Sequence, residues 1–300
     1  MVDFNITQMK QLLWNMYVWV RNAIGKYLSD ETYIKWVYRI NNGEKLNLDN
    51  PQTFNEKLNW IKLFDRNPQY TRMADKYEAK EFVSNRLGTT DYTVPCLGVF
   101  NSFDEIDFDK LPDRFVLKTT FDSSGVFVVR DKSKFDKENA KNRIAKSMKS
   151  DYFIASREWP YKNIPHRLIV DQFLDNHTEH ELTDYKFWCF NGEPKVVYVT
   201  NKGANICENF YDMNWDVLDI NHGFPRHQPE FSKPEAFEEM RELARKISYG
   251  VPFLRVDFFY IEGKVWFGEC TFFDWGGMRS FKSKEWDKKL GSWLTLPNVH

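Results

Sequence analysis

Three hundred residues, 42% hydrophobic and 28% charged, suffice to bury a large core and are too apolar for a disordered chain. A net charge of −1 lacks the basic excess of a general nucleic-acid binder, so nucleic acid is not an expected partner. Cys96, Cys189, Cys207 and Cys270 form no CxxC pair, which argues against a structural zinc site or a disulfide scaffold and points to a reducing cytoplasm.

Residues 12–20 form an aromatic-heavy run, interrupted by Asn15 and too short to span a bilayer. A helix docked on the protein body is expected; peripheral membrane contact through residues 9–24 is the alternative, because Trp and Tyr suit a membrane interface. Thr53 followed by Glu56 predicts a capping box and a helix start. A second helix is predicted from Arg72 through Val83, ending at Leu87-Gly88. After Val94-Pro95 come a short apolar run, an acidic loop over 104–110, and strands over 114–118 and 126–130. Lys118 ends the first of these strands, and a small polar loop containing Ser123, Ser124 and Gly125 follows. Such a pair can hold polyphosphate, the Lys supplying charge and the loop N–H donors, although a plain hairpin with a solvated Lys has the same pattern.

Residues 135–149 read as a charged helix and 167–174 as a strand, making 114–174 a small α+β module. His177 and His180 among acidic residues could hold a metal, but a polar surface loop is the simpler expectation. A strand over 184–190 turns at Asn191-Gly192 and returns over 195–199, and a helix is predicted over 234–247. The last hairpin runs over 254–261, turns at Glu262-Gly263-Lys264, and returns over 265–271. With a three-residue loop Ile261 faces Val265, Asp257 faces Glu269 and Arg255 faces Thr271, with Phe259, Ile261, Val265 and Phe267 anchoring the same face to a core. With a two-residue loop Asp257 would face Gly268, and Glu269 would lie on the other side. Two carboxylates across a strand pair repel unless a cation lies between them; a salt-bridge cluster or a magnesium–phosphate site would each supply one.

The phrases NPQTFNEKL from Asn50, DKY from Asp75, LPDRFVLK from Leu111, DYKFWCFNG from Asp184, RVDF from Arg255 and FGECTF from Phe267 resemble, in this order, the TupA-like family of the ATP-grasp superfamily, associated with bacterial surface polysaccharide synthesis. The resemblance runs from about Asn50 to Leu294. It implies an α+β fold of ATP-grasp architecture: a helical extension (1–49), an N-terminal α/β part (50–113), a lid (114–174) and a C-terminal part with an antiparallel sheet and helices (175–300). ATP would lie between lid and C-terminal sheet, contacted by Lys76, Lys118, Ser123, Ser124, Gly125 and Asp184, with the backbone of Asp171, Gln172, Phe173 and Leu174 reading adenine. Asp257, Glu269 and Thr271 would hold Mg²⁺, Arg255 would stabilise an acyl-phosphate, Lys186 would steady a phosphate or carboxylate, and Gly276 and Gly277 would face the acceptor.

Three departures stand out. Thr271 occupies a place where many ATP-grasp ligases have Asn, Asp171 replaces the more usual hinge Glu, and the phosphate loop has Phe121, Asp122 and only Gly125 in place of His and more glycine. Asp122 must therefore turn away from phosphate or be compensated. The resemblance implies an ATP-dependent carboxylate–amine ligase acting on a nucleotide-linked or lipid-linked sugar carboxylate and a small amine, in the cytoplasm or at the inner face of the membrane. A sugar-nucleotide transferase and a non-catalytic nucleotide-binding scaffold are the alternatives.

Overall fold

A computed structural model of the protein describes residues 6–122, 125–175, 182–201 and 206–298. Ser123, Ser124, His177 and His180 lie outside the described residues. Two helices lead the chain, α1 (Ile6–Gly25) and α2 (Asp30–Asn42), the second capped by Ser29 and closed by Gly43 at φ 73°. The expected capping box opens α3 (Phe54–Phe64): Glu56 N–H donates to Thr53 Oγ1 at 3.3 Å, and Thr53 N–H donates to Glu56 Oε2 at 3.0 Å.

The single helix expected from Arg72 to Leu87 is instead two, α4 (Gln69–Ala74) and α5 (Glu78–Leu87). Asp75 causes the break, because its buried carboxylate accepts the N–H groups of Tyr77 at 2.7 Å and Glu78 at 3.2 Å and thereby competes with the helical ladder. Lys76 N–H then donates to Thr120 O at 3.0 Å, tying the break to the neighbouring sheet. Gly88, at φ 75°, ends α5 as expected.

The smaller sheet contains β1 (Cys96–Phe100), β2 (Phe115–Thr119) and β3 (Val126–Val129); α6 (Lys137–Met148) and α7 (Tyr152–Ser156) precede its last member, β4 (Leu168–Gln172). Its order is β1-β4-β2-β3, antiparallel throughout, and Ile144 of α6 packs with Phe115, Leu117, Leu168 and Val170 in a separate core. The larger sheet comprises β5 (Asp184–Phe190), β6 (Glu193–Asn201), β7 (Cys207–Tyr211), β8 (Val217–Leu218) and, after α8 (Phe237–Ser248), β9 (Phe253–Ile261) and β10 (Lys264–Thr271). Its order is β10-β9-β5-β6-β7-β8. The apolar stripe of α8, including Phe237, Met240, Ala244 and Ile247, covers one face, where the Phe187 and Phe237 rings lie 5.8 Å apart. The last helix, α9 (Lys284–Trp293), packs on α3.

Two β-bulges decide what the uncovered face carries. The final hairpin turns on two residues, Glu262 at φ 50° and Gly263 at φ 76°, so Ile261 faces Lys264 and the three-residue loop is corrected. A bulge at Gly268 adds one residue to β10 and restores Asp257 opposite Glu269 and Arg255 opposite Thr271. Glycine suits the bulge, since a Cβ there would lie 3.1 Å from Asp257 O. Val265 and Phe267, expected on the Asp257 face, pair with Tyr260 and Phe258 on the opposite face and enter the main core. In the preceding hairpin, turned at Asn191 and Gly192, a bulge at Lys195 beside Pro194 shifts the register so that Tyr198 faces Lys186.

Candidate active site

The face of the larger sheet opposite α8 presents one row across four strands: Glu269, Asp257, Lys186 and Tyr198. Arg255 and Thr271 flank this row at one end of the strands, and Asp184, Thr200 and Glu208 flank it at the other. Arg255 is the hub. Its Nε and Nη2 donate to Asp257 Oδ1 and Oδ2 at 2.7 and 2.9 Å, Nη2 also reaches Glu269 Oε1 at 2.6 Å, and Nη1 reaches Asp274 Oδ1 at 2.7 Å. Lys186 donates to Asp257, and its Nζ lies 3.1 Å from Asp184 Oδ2. Tyr198 Oη donates to Asp274 Oδ1 at 3.1 Å.

Burial alone would lower Lys186 and Arg255, but the surrounding carboxylates outweigh it, led by Asp257, and both cations are held above their ordinary values. The cation that two facing carboxylates require is thus present as the Arg255 guanidinium. Among the described residues no group of three or more His, Cys, Asp or Glu side chains could hold a metal. A metal here would share its shell with ligand oxygens. The donor chemistry fits Mg²⁺ on that basis: two carboxylates, Asp257 and Glu269, and the Thr271 hydroxyl, which donates to Glu269 Oε1 at 3.3 Å, are all hard oxygen ligands.

A cleft of about 710 Å³ lies over this face, lined by Lys186, Arg255, Glu269, Thr271 and Gly276 on one side and by Lys76 and Asp122 on the other. Lys76 donates to the carbonyl oxygen of Asp122, and burial lowers its pKa against the pull of Glu269. The Asp122 carboxylate accepts from the Thr119 and Ser147 hydroxyls and from Gly125 N–H, so its charge is engaged by its own loop and by α6. Its hydrogen bonds outweigh burial and hold it below the usual carboxylate range. The Gly125 N–H is spent on Asp122 at 3.0 Å, and a Cβ on Gly125 would lie 2.2 Å from Thr119 Oγ1; glycine there serves packing.

Lys118, Asp171, Gln172, Phe173 and Leu174 lie apart from the cleft lining. Lys118 pairs with Asp171 at 3.0 Å, and Lys80 pairs with the other oxygen of that buried carboxylate at 2.6 Å. Gln172 ends β4 and its N–H donates to Pro95 O at 2.9 Å, while the Phe173 ring carries Arg114 and Arg130, each 5.2 Å from its centroid; Leu174 follows, half-buried. Gly276 and Gly277 form a left-handed turn at φ 65° and 64°. Their carbonyls are held by Lys62 and Asn59, and Gly276 N–H donates to Phe273 O at 2.8 Å, so that N–H is engaged within the turn.

Sequence reasoning missed Tyr198, Asp274, Lys80, Glu158 and Glu208. Tyr198 was hidden by the Lys195 bulge, whereas Lys80 carried a local signal, standing four residues after Lys76 in a segment whose sequence reads as helical. Glu158 and Glu208 line the cleft, and burial pushes each carboxyl up to about 7.

Two antiparallel sheets, the larger with an ionic face beneath a cleft, form the ATP-grasp architecture. The chain belongs to the TupA-like ATP-grasp family, whose family model matches residues 56–295. Similar solved structures include D-alanine–D-alanine ligase from Helicobacter pylori, at 16% identity and TM-score 0.41, covering 75% of this chain and 60% of that one. The Bacillus anthracis enzyme of the same name, complexed with ATP, aligns at 12% identity and TM-score 0.39, covering 72% and 55% of the two chains. Carboxyaminoimidazole ribonucleotide synthase from Aspergillus clavatus, complexed with ATP, aligns at 15% identity and TM-score 0.40, covering 67% and 44%. The chain therefore spans 60% or less of the length of these structures. No curated protein matches it.

Proposed function

We propose that the chain is an ATP-dependent carboxylate–amine ligase whose carboxylate is a uronic-acid unit of a nucleotide-linked or lipid-linked glycan and whose second substrate is a small amine. The observation that carries this reading is the Arg255 hub, joined to Asp257 and Glu269 on the cleft wall that faces Lys76. A carboxylate oxygen of the substrate attacks the γ-phosphorus of ATP and ADP leaves; the amine then attacks the acyl carbon and inorganic phosphate leaves. Neither step needs a nucleophile from the protein.

Lys76 and Lys118 hold phosphate charge, the 114–174 module acts as a lid, and the backbone of Asp171 to Leu174 reads adenine. Asp257, Glu269 and Thr271 hold Mg²⁺, which when bound screens phosphate charge. Arg255 balances the charge of the acyl-phosphate and of the tetrahedral species after amine attack. Lys186 orients the substrate carboxylate, and Asp184 keeps Lys186 charged and in place. The Gly276–Gly277 turn shapes the acceptor side. Incubation with Mg-ATP, glucuronic-acid derivatives and a panel of amino acids and amino alcohols tests this: amide product with matching ADP release is expected, and neither above an Asp257→Asn control would refute it.

We propose a cytoplasmic location, with peripheral contact of α1 at the inner face of the membrane as the alternative to its docking on the protein body. Leu12 and Met16 on α1 are 61% and 56% exposed, and no helix among the described residues is long and apolar enough to cross a membrane. Liposome sedimentation tests the contact, with Leu12→Ser/Met16→Ser expected to lower partitioning and an unchanged fraction counting against it.

A further inference from the structure

Past Tyr198 the cleft continues into a region that no step above uses. Thr200 and Glu208 are neighbours in register across β6 and β7 and are only 6% and 3% exposed. Both line the cleft, and among the described residues Thr200 Oγ1 and Glu208 Oε1 are buried without a hydrogen-bond partner. A buried polar atom left unpaired is costly, so two adjacent ones in one cavity wall mark where ligand hydroxyls would be satisfied.

Phe224 and Trp275 continue the same wall to the cleft mouth. The Arg279 guanidinium lies over both rings, 4.6 Å from the Phe224 centroid and 3.9 Å from that of Trp275. Among the described residues its side chain makes no hydrogen bond or ion pair, so a flat, oriented set of donors is held ready at the mouth. Trp275 is held in the left-handed region at φ 48° and ψ 31°, a conformation strained for a bulky residue and characteristic of ligand clamps. The residue as a whole is 48% exposed.

We propose that Thr200, Glu208, Trp275 and Arg279 form a subsite for a glycosyl phosphate, with ring hydroxyls on Thr200 and Glu208, the sugar against Trp275, and the phosphate on Arg279. The proposal rests on the ligase reading for one feature only, the direction of the ligand: a carboxylate on the far side of the ring would then point toward Arg255. Burial keeps the Glu208 carboxyl partly protonated near neutral pH against the pull of Arg279, so it can donate to a sugar oxygen as well as accept from a hydroxyl. Arg279 suits phosphate because a planar guanidinium grips two oxygens at once.

Calorimetric titration without nucleotide tests the subsite, using glucuronic acid 1-phosphate, methyl glucuronide and glucose 1-phosphate, with Mg-ATP binding and the melting temperature checking that each variant is folded. Glucuronic acid 1-phosphate is expected to bind at least about tenfold tighter than methyl glucuronide, the gain from a charge-assisted hydrogen bond. Arg279→Gln should erase that difference, and Thr200→Val and Glu208→Gln should each weaken both ligands severalfold. Glucose 1-phosphate binding as tightly as the uronic acid, and lost in the same variants, would support the subsite while removing support for the carboxylate ligase. Sugar phosphates that fail to bind, or that bind these folded variants as they bind wild type, would overturn the subsite even if ADP release persists.

Discussion

Asp257 faces Glu269 across β9 and β10, and a single nitrogen of Arg255 reaches both carboxylates, at 2.9 and 2.6 Å. The two acids differ in setting, since the Asp257 side chain is 4% exposed and that of Glu269 is 43% exposed. Arg255→Met leaves Asp257 and Asp274 without their shared cation and should cost about 3–5 kcal/mol in urea denaturation. Glu269→Gln should cost less than about 1 kcal/mol because its charge is half in water, yet it should abolish Mg-ATP turnover. Equal stability losses in the two variants would show that Arg255 is not the electrostatic hub.

The contact between α9 and α3 gives a prediction free of any functional reading. A Cβ on Gly291 would lie 2.2 Å from Gln52 O and 2.7 Å from Thr53 C, backbone atoms that belong to the capping box and cannot swing aside. Gly291→Ala should therefore destabilise the fold by about 1–3 kcal/mol or more, despite alanine's better helix propensity. Thermal unfolding checks the sign.

Glu208 makes stability depend on pH. Its folded value of about 7 stands above the ordinary 4.5, so between these values the folded chain keeps a proton that the unfolded chain has lost. Its contribution is full below pH 4.5 and fades as pH rises through 7. Glu208→Gln removes this term and should gain about 3 kcal/mol relative to wild type at pH 8 and almost nothing at pH 4. Melting curves at the two pH values measure it.

Lys80 and Lys118 share Asp171 but should differ in function. Lys118→Met is expected to weaken ATP binding by about 10–100-fold, the worth of a charge-assisted hydrogen bond to phosphate. Lys80→Met should mainly lower stability, because Lys80 also donates to Val94 O at 2.7 Å and closes the junction between α5 and β1. Matched ATP affinities in the two variants would contradict the phosphate role of Lys118.

What was legible in the sequence was local or periodic. Thr53 and Glu56 mark a helix start through two short-range hydrogen bonds, and Asn191-Gly192 marks a turn through left-handed backbone preference. The Asp257–Glu269 pairing was anticipated with the wrong turn, and the Gly268 bulge supplied the residue that the turn did not. Bulges have no strong one-residue signature, so the Lys195 bulge also concealed that Tyr198 faces Lys186. The helix break at Asp75 was illegible for a different reason: alternating charged residues on either side look helical, and the Arg167 that helps hold its carboxylate, at 2.7 Å, is 92 residues away. Glu208 and Arg279 could not be joined by spacing, because only the folded cleft brings them together.

The most direct test of the account is calorimetric titration of ATP, with and without Mg²⁺, into wild type and into Asp257→Asn with Glu269→Gln. The account predicts ATP binding that requires Mg²⁺ in wild type and collapses in the double variant while the fold remains cooperative. ATP binding that ignores Mg²⁺, or persists unchanged in a folded double variant, would contradict the assignment of this carboxylate pair to the nucleotide site.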